Sequence, residues 1–280
     1  MRTVIGAIKI TRPLNCLGAL GSVILGGYLM TDPGAPRLWI AAVLVAILTA
    51  AANVLNDYFD IEIDCINKPF RVLPSNELSL TAAAHWAVAL VVIGLGLSML
   101  LGVAMALIAT VMAALSYVYS WKLKSSFLVG NAVISMMSAM TVIYGGMAVG
   151  SVGPTLVPAL LILLFMFCRE ILKTVEDYEG DRLGGARTIA VVWGKIGALR
   201  MFGVLAVLVA FLSLLPWVLG NVSVAYPILV IPGVSLVLLL AAFVLSKRPT
   251  RRYIRIALVA TKADWVLWIV AMFIGIGFKI

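Results

Sequence analysis

The residues best suited to chemistry in this sequence are ten carboxylates that lie in two short clusters. The chain has 12 Asp and Glu among 280 residues, and 63% of its residues are hydrophobic. The first cluster runs from Asn56 to Asp64, with Glu77 behind it, and the second from Glu170 to Asp181. Acidic side chains beside membrane-length apolar segments are costly to keep, so they indicate a functional site. Two such clusters facing one volume would suit divalent cations and a polyanionic substrate.

The spacing within each cluster is helical. If the second apolar segment continues as a helix through the first cluster, residues at successive i+3 and i+4 positions share one face. These residues are Asn53, Asn56, Asp57, Asp60 and Asp64 in the first cluster, and Glu170, Lys173, Asp177 and Asp181 in the second. Like charges so spaced repel one another and are tolerated when a cation lies among them.

The donor set indicates which cation this is. Oxygen ligands without His or thiolate favour Mg²⁺ or a similar hard ion, which bridges carboxylates to substrate phosphates. We therefore predict an Mg²⁺ cofactor and a clamp for a diphosphate. The predicted metal ligands and catalytic residues are Asn56, Asp60, Asp64, Asp177 and Asp181.

Ordinary solvation is the alternative explanation for acids at helix ends. For single residues such as Glu62, Glu77 and Glu179 we expect this explanation to hold. For the whole double array we favour a site, because the same periodicity returns four apolar segments later. This separation also suggests a duplicated four-helix unit with a ninth helix added.

Basic and aromatic residues near the clusters complete the predicted pocket. The cations considered for the diphosphate oxygens are Arg12, Arg71, Lys122, Lys124 and Lys173. Among them we choose Lys122 as catalytic, and Arg71 and Lys173 as substrate-binding. Tyr119 is also predicted to bind substrate, since aromatic faces attract a developing cation, although Tyr and Trp at membrane interfaces are common without any such role.

The elements that must position these residues are membrane helices. Continuous apolar runs of the length needed to span a bilayer recur along the chain, without the period-two alternation of barrel strands. The predicted spans are 14–30, 38–56, 79–99, 101–119, 128–149, 155–174, 196–218, 224–245 and 256–278. We therefore predict an all-α, polytopic membrane protein with a single domain over residues 1–280.

Charge placement predicts the orientation of this bundle. Lys and Arg are concentrated in the N-terminal tail and in every second connection, whereas the other connections hold only Asp32 and Arg37. By the positive-inside rule, the N-terminus and both acid clusters are cytoplasmic and the C-terminus lies outside. The net charge of +9 is then a topology signal and an attraction for anionic lipid head groups. It does not indicate nucleic acid, and we predict a multi-pass protein of the cell membrane without an obligatory protein partner.

Cysteine and histidine add little to the site. Cys16, Cys65 and Cys168 lack the spacing of a metal site, and His85 opens an apolar segment beside Trp86. We also expect no cleaved signal peptide, because no Ala-x-Ala-like site follows the first apolar run.

The two clusters resemble the paired signatures of the UbiA-type intramembrane prenyltransferases. The first reads NDYFDIEID at 56–64 and continues as INKPFR at 66–71. The second reads REILKTVEDYEGD at 169–181, followed by GART at 185–188. RPLN at 12–15 and YSWK at 119–122 are similar to two further motifs of that family.

The resemblance covers nearly the whole chain. It implies nine helices around a central cavity with a small cytoplasmic cap, and Mg²⁺-dependent transfer of a prenyl group from a prenyl diphosphate to a lipophilic acceptor. It also implies a role for Asn15 in substrate binding. Asp57, or else Glu176, is a candidate to take the acceptor's proton, and Asp57 is included among the substrate-binding residues.

Within the family, the sequence is most similar to archaeal digeranylgeranylglyceryl phosphate synthases. The implied acceptor is the free hydroxyl of geranylgeranylglyceryl phosphate, and the implied donor is geranylgeranyl diphosphate. One loop differs from the family's usual pattern. Where family members have Arg-Pro-Ile-Pro-Ser-Gly, this sequence reads RVLPSN at 71–76. Related family members prenylate aromatic quinone precursors, which remains an alternative.

Two alternatives belong to other classes. A CDP-alcohol phosphotransferase also has paired Asp motifs, but DRLGGAR at 181–187 has the wrong spacing for its signature. A cation-coupled transporter would place its acids near the membrane midplane, whereas these acids lie at helix ends on one side.

Overall fold

The structure is a bundle of helices, and no strand occurs in the part of the chain it describes, residues 2–29 and 34–278 of a computed structural model. The helices are α1 (Arg2–Ile10), α2 (Pro13–Tyr28), α3 (Pro36–Phe59), α4 (Ile61–Asn67), α5 (Leu80–Met99), α6 (Val103–Trp121), α7 (Val129–Ala148), α8 (Leu156–Glu176), α9 (Tyr178–Leu183), α10 (Ile189–Leu212), α11 (Leu215–Val218), α12 (Ala225–Val230), α13 (Leu236–Lys247) and α14 (Arg251–Gly277). Single 3₁₀ turns precede α7 and α8, and a π-helical turn over Ile231–Ser235 joins α12 to α13. The prediction of an all-α protein is confirmed.

Membrane-length segments make up most of this bundle. Within the described ranges, eight helical segments are long and apolar enough to cross a bilayer. They are α3, α5, α6, α7, α8 with the turn before it, α10 continued by α11, α12 continued by α13, and α14. The remaining predicted span, 14–30, corresponds to α2, an apolar helix of 16 residues; its predicted end at residue 30 lies outside the described residues.

The helices that carry the two acid clusters occupy equivalent places in the bundle. Helix α3 packs between α2 and α5, and α8 packs between α7 and α10, with α14 also against it. The buried side of α8 includes Ile162, Ile171 and Leu172, which belong to the largest hydrophobic cluster together with Phe202 and Tyr226. Each acid cluster is thus held at the end of a helix that is packed on several sides.

A short interruption at an aspartate ends each of these two helices. Asp60 (φ −91°, ψ 1°) separates α3 from α4, and Asp177 (φ −87°, ψ 3°) separates α8 from α9. The helical hydrogen bonds nevertheless continue, since the amide of Asp64 donates to Asp60 (2.7 Å) and that of Asp181 donates to Asp177 (3.0 Å). The helix predicted to run unbroken through Asp64 is therefore bent, but its acids keep a shared face. The same device at both sites is consistent with a duplicated unit.

Helices α4 and α9 contact each other. They form a small cap over the end of the bundle at which Asp60 and Asp177 lie, and we call this end the polar end. The loop after α4 turns at Asn76, whose φ is +58°. Asn tolerates this left-handed conformation better than other residues with a side chain. Asn76 stands where the resembled pattern has Gly, and it adopts a left-handed conformation of the kind that Gly also accepts.

Two glycines bring α2 and α7 into backbone contact. A Cβ atom on Gly26 would lie 2.0 Å from the carbonyl oxygen of Val142, and one on Gly145 would lie 1.9 Å from that of Val23. Small residues permit such close approach between membrane helices. Helix α2, which begins at the polar end, is therefore fixed against α7 without intervening side chains.

Replacing Gly145 with alanine is expected to lower the free energy of unfolding by about 3 kcal/mol or more, because the two backbones must separate. The measurement is a thermal unfolding curve of the purified protein in detergent. Gly203→Ala in α10 is the matched control, since a Cβ there meets no atom within 4 Å. An equal loss of stability in both variants would contradict the close approach.

Candidate active site

A cavity at the polar end collects most of the predicted site residues. It holds about 770 Å³ including its open mouth, and α3, α4, α8 and α9 supply its acidic side chains. The predicted residues that line it are Asn56, Asp60, Asp64, Arg71, Tyr119, Lys173, Asp177 and Asp181. The helical spacing predicts that the acids of both clusters face one volume, and in the structure Asp60, Asp64, Asp177 and Asp181 line the same cavity. Asn15, Asp57 and Lys122 do not line the cavity.

Two lysines reach across the cavity to the aspartates at the helix interruptions. Lys68 Nζ lies 2.6 Å from Asp177 Oδ1, and Lys124 Nζ lies 2.5 Å from Asp60 Oδ1. Lys68 follows the first acid cluster, whereas Asp177 belongs to the second. The pair of Lys68 and Asp177 thus joins the two halves of the bundle through the site itself.

Arg71 holds the remaining acids of the first cluster. Its Nη1 donates to Asp64 Oδ2 (2.5 Å) and to Asp57 Oδ1 (3.2 Å). Arg12 also bonds Asp57. Asp57 is buried, with 5% of its surface exposed. Asp57 therefore positions two guanidinium groups that line the cavity, and it does not line the cavity itself.

Burial shifts the titration of the cap acids. The pKa of Asp64 is raised because burial disfavours its charged form, although Arg71 opposes this shift. Burial and the neighbouring Asp177 raise the pKa of Asp181 to about 6, while a hydrogen bond from Thr188 Oγ1 (3.1 Å) opposes them. These acids are crowded in a way that a bound cation would relieve.

Lys124 lines the cavity, whereas Lys122, the lysine predicted to be catalytic, does not. Helix α6 ends at Trp121, and Lys122 at its C-cap is exposed. The 3₁₀ turn over Leu123–Ser125 then returns the chain toward the cavity, so that Lys124 meets Asp60. The sequence places both lysines in one short connection, and only the path of the turn distinguishes them.

Asn15, the remaining predicted site residue that does not line the cavity, lies close behind it. Asn15 in α2 donates from Nδ2 to Asn53 Oδ1 at 3.5 Å, and Asn53 in turn donates to the carbonyl of Thr11 (2.9 Å). These amides fix the start of α2 against α3. Arg12, at the N-cap of α2, lines the cavity next to them.

Sequence reasoning missed several polar residues of the cavity. They include Lys68, Asn131, Thr174 and Thr188, and Glu170 was placed on the right face without a role. Asn131 carried a usable signal, because an amide at the start of the apolar helix α7 is costly without a polar neighbour. Lys173 holds Glu170 at 2.9 Å and 3.1 Å to its two oxygens.

One buried acid lies away from the cavity. Asp264, in α14, is 3% exposed, and its Oδ2 has no hydrogen-bond partner in the described part of the chain. It stands alone in the last apolar segment of the sequence, without a second acid at helical spacing. It is not part of the acid-lined site.

The cavity fits a hard divalent cation that is shared with a substrate. Asn56 Oδ1 is buried and has no hydrogen-bond partner among the described residues, although it lines the cavity. The possible metal ligands that line the cavity beside it on the same helical face are the carboxylate oxygens of Asp60 and Asp64. No three His, Cys, Asp or Glu side chains of residues 2–29 and 34–278 are close enough to hold an ion by themselves. This arrangement suits Mg²⁺, which keeps waters and completes its shell with phosphate oxygens.

The fold and the cavity define a polytopic helical membrane protein with a densely charged site at one end of its bundle. The UbiA prenyltransferase family matches residues 19–261. Digeranylgeranylglyceryl phosphate synthase of Thermococcus kodakarensis is 34% identical over 276 residues, which cover 96% of each chain. The synthase of the same name from Methanopyrus kandleri is 34% identical over 239 residues, or 83% of this chain and 86% of that one. The chain belongs to the UbiA prenyltransferase family and is a membrane prenyltransferase.

Solved structures agree with this assignment. One, from work on digeranylgeranylglyceryl phosphate synthase in membranes, is 30% identical, covers 100% of both chains and superposes with a TM-score of 0.76. A UbiA homologue from Archaeoglobus fulgidus, bound to GPP and Mg²⁺, has a TM-score of 0.72 over 97% of this chain and 99% of its own. At 17% identity, this second likeness concerns the fold.

Proposed function

We propose that this chain transfers a geranylgeranyl group from geranylgeranyl diphosphate to the free hydroxyl of geranylgeranylglyceryl phosphate. The product carries the second ether bond of an archaeal membrane lipid. The observation that carries the proposal is the meeting of two aspartate-terminated helices, α3 and α8, around one cavity that also holds lysines. The synthases named above, which match along 96% and 83% of this chain, support the choice of acceptor.

The cavity residues have distinct roles in binding the diphosphate. Asn56, Asp60 and Asp64 would hold one Mg²⁺, and Asp177 and Asp181 would hold another. When bound, Mg²⁺ would supply positive charge to the diphosphate, where negative charge grows as the bond to C1 breaks. Lys68 and Lys124 line the same cavity and would donate hydrogen bonds to diphosphate oxygens.

Bond cleavage leaves cationic character on the allylic C1 of the prenyl chain. Tyr119 is half-buried and lines the cavity, so its ring can face this carbon. The hydroxyl oxygen of the acceptor attacks C1, a carbon–oxygen bond forms, the hydroxyl proton is released and the diphosphate leaves. Arg12, Arg71 and Lys173 line the cavity and stabilise the departing anion.

The same proposal places the protein in the cell membrane as a single domain over residues 1–280, with the cavity facing the cytoplasm. The positive-inside rule supports this orientation, because the basic connections lie at the polar end. Cys65 in α4 is exposed, whereas Cys168 is buried and Cys16 is half-buried. A membrane-impermeant maleimide should therefore label Cys65 in inverted membranes and leave it unlabelled in intact cells; the reverse pattern would contradict the orientation.

The activity is tested with the purified protein, Mg²⁺ and geranylgeranyl diphosphate, offered either geranylgeranylglyceryl phosphate or 4-hydroxybenzoate. We expect mass spectrometry to detect the doubly alkylated glyceryl phosphate and no prenylated aromatic acid. An aromatic product would favour the quinone-precursor alternative. Cation flux in liposomes without any prenyl transfer would favour a transporter instead.

A further inference from the structure

Helices α8 and α14 run antiparallel and touch at two levels. Near the polar end, Arg255 Nε lies 3.5 Å from Glu176 Oε1. Further from it, the ring of Trp265 stacks on that of Phe165, with centroids 5.9 Å apart and planes at 23°. These two contacts fix the register of the helices between them.

The register brings two cations face to face. Lys262 lies seven residues after Arg255, and Arg169 lies seven residues before Glu176, so each occupies the same helix face as the contact at the polar end. Because the helices are antiparallel, Lys262 and Arg169 stand opposite each other, next to the stacked rings. Lys262 is accordingly within electrostatic range of both Arg169 and Arg12.

These cations are poorly neutralised. In the described part of the chain, Lys262 makes no ion pair and no side-chain hydrogen bond. Arg169 reaches Glu170 only at 3.5 Å, while Lys173 holds that carboxylate at 2.9 Å. Asp264 does not neutralise the charge of Lys262. The two side chains are separated by two positions along α14 and therefore point to different sides of the helix, and they form no ion pair.

Lys262 is exposed, yet it lies well inside a membrane-length helix. It lies 11 residues after Arg251, so about 16 Å along α14 from the start of the helix. Cationic side chains at such depth in a membrane segment are rare and mark ligand pathways or partner sites. The ion pair two turns nearer the polar end thus gives way to two cations whose one ion pair among the described residues is the 3.5 Å contact of Arg169 with Glu170, a carboxylate that Lys173 also binds.

The cation pair adjoins the acid-lined cavity without belonging to it. Trp265 Nε1 lies 3.0 Å from the position of a Cβ on Gly18, so α2 packs beside α14 at this level. Arg12, just before α2, lines the cavity, whereas neither Lys262 nor Arg169 does. A molecule that extends from the cavity past Arg12 between α2 and α14 would meet this pair.

We propose that Lys262 and Arg169 bind the phosphate group of the lipid acceptor, as a second anion site separate from the diphosphate site. This inference rests on the proposed function, since it assumes that the acceptor is a phosphorylated lipid. A phosphomonoester dianion matches the two facing cations, and the glycerol hydroxyl of the same molecule would then lie toward the cavity. The same chemistry is offered by the phosphate of an ordinary anionic phospholipid, which the test must distinguish.

The test compares kcat/KM for geranylgeranylglyceryl phosphate and for its dephosphorylated alcohol, in wild type, Lys262→Gln and Arg169→Gln. For the phosphorylated acceptor we expect a loss of about tenfold or more in each variant, the size of one hydrogen bond to a charged group. We expect less than a twofold change for the alcohol and for the KM of geranylgeranyl diphosphate. Lys262→Arg should restore most of the rate, and Lys247→Gln, at an exposed lysine, is the matched control.

Each outcome has one meaning. If the variants lose the same factor with both acceptors, or raise the KM of the diphosphate, the acceptor-phosphate site is wrong. If the loss depends on the fraction of anionic lipid in nanodiscs and not on the acceptor's phosphate, the pair binds a bilayer lipid and the proposal is overturned. If wild type does not convert the phosphorylated acceptor at all, the proposed function itself fails, which the wild-type reaction alone reveals.

Discussion

Asp60→Ala and Asp177→Ala are each expected to lower kcat for prenyl transfer by about 10³-fold or more, while the protein stays folded. Each aspartate stands at a helix interruption and lines the cavity, where it forms an ion pair with a lysine. Without either carboxylate, the cavity loses an oxygen donor for the cation that disperses charge on the diphosphate. Stabilisation of developing charge is commonly the largest single contribution to catalysis.

The assay is release of diphosphate, or transfer of a labelled prenyl chain, at saturating Mg²⁺. Glu62→Ala is the matched control, since Glu62 belongs to the same cluster but is exposed and does not line the cavity. We expect this control to retain wild-type activity within about twofold. Retention of substantial activity by Asp60→Ala and Asp177→Ala would refute the proposed site, provided that gel filtration and thermal unfolding match those of wild type.

Lys124→Ala is expected to lower kcat by about 100-fold, whereas Lys122→Ala should change it less than about threefold. Lys124 lies 2.5 Å from Asp60 and lines the cavity, while Lys122 is exposed at the end of α6. Removing one positioned donor to a developing anion typically costs this much. The comparison is sharp because the two lysines are two residues apart and have the same charge.

Steady-state kinetics with both substrates varied is the appropriate measurement for this pair. Lys124→Arg should recover part of the rate, because it keeps the charge but not the shape of the ammonium group. A larger loss in Lys122→Ala than in Lys124→Ala would return the catalytic role to Lys122, as the sequence alone predicted.

The agreement between sequence and structure is closest where helical periodicity applies. Glu170, Lys173, Asp177 and Asp181 line one cavity because a helix repeats every 3.6 residues and hydrogen bonding continues past Asp177. Membrane-spanning helices are equally predictable from sequence, since crossing a bilayer requires a roughly fixed length of apolar helix. The prediction is weakest at Lys122, where a non-helical turn decides which side chain faces inward.

The sequence by itself determined the class of this protein, its helices, the two acid stripes and the hard-cation chemistry that their oxygen donors favour. These properties follow from composition and from the fixed geometry of a helix, which needs no knowledge of neighbours. Only the tertiary structure decided that Lys68 crosses to Asp177, that Asp57 lies behind Arg12 and Arg71, and that Lys262 faces Arg169. Such pairings depend on the register between helices distant in sequence, and register is set by side-chain packing and by close backbone contacts such as that of Gly145 with Val23.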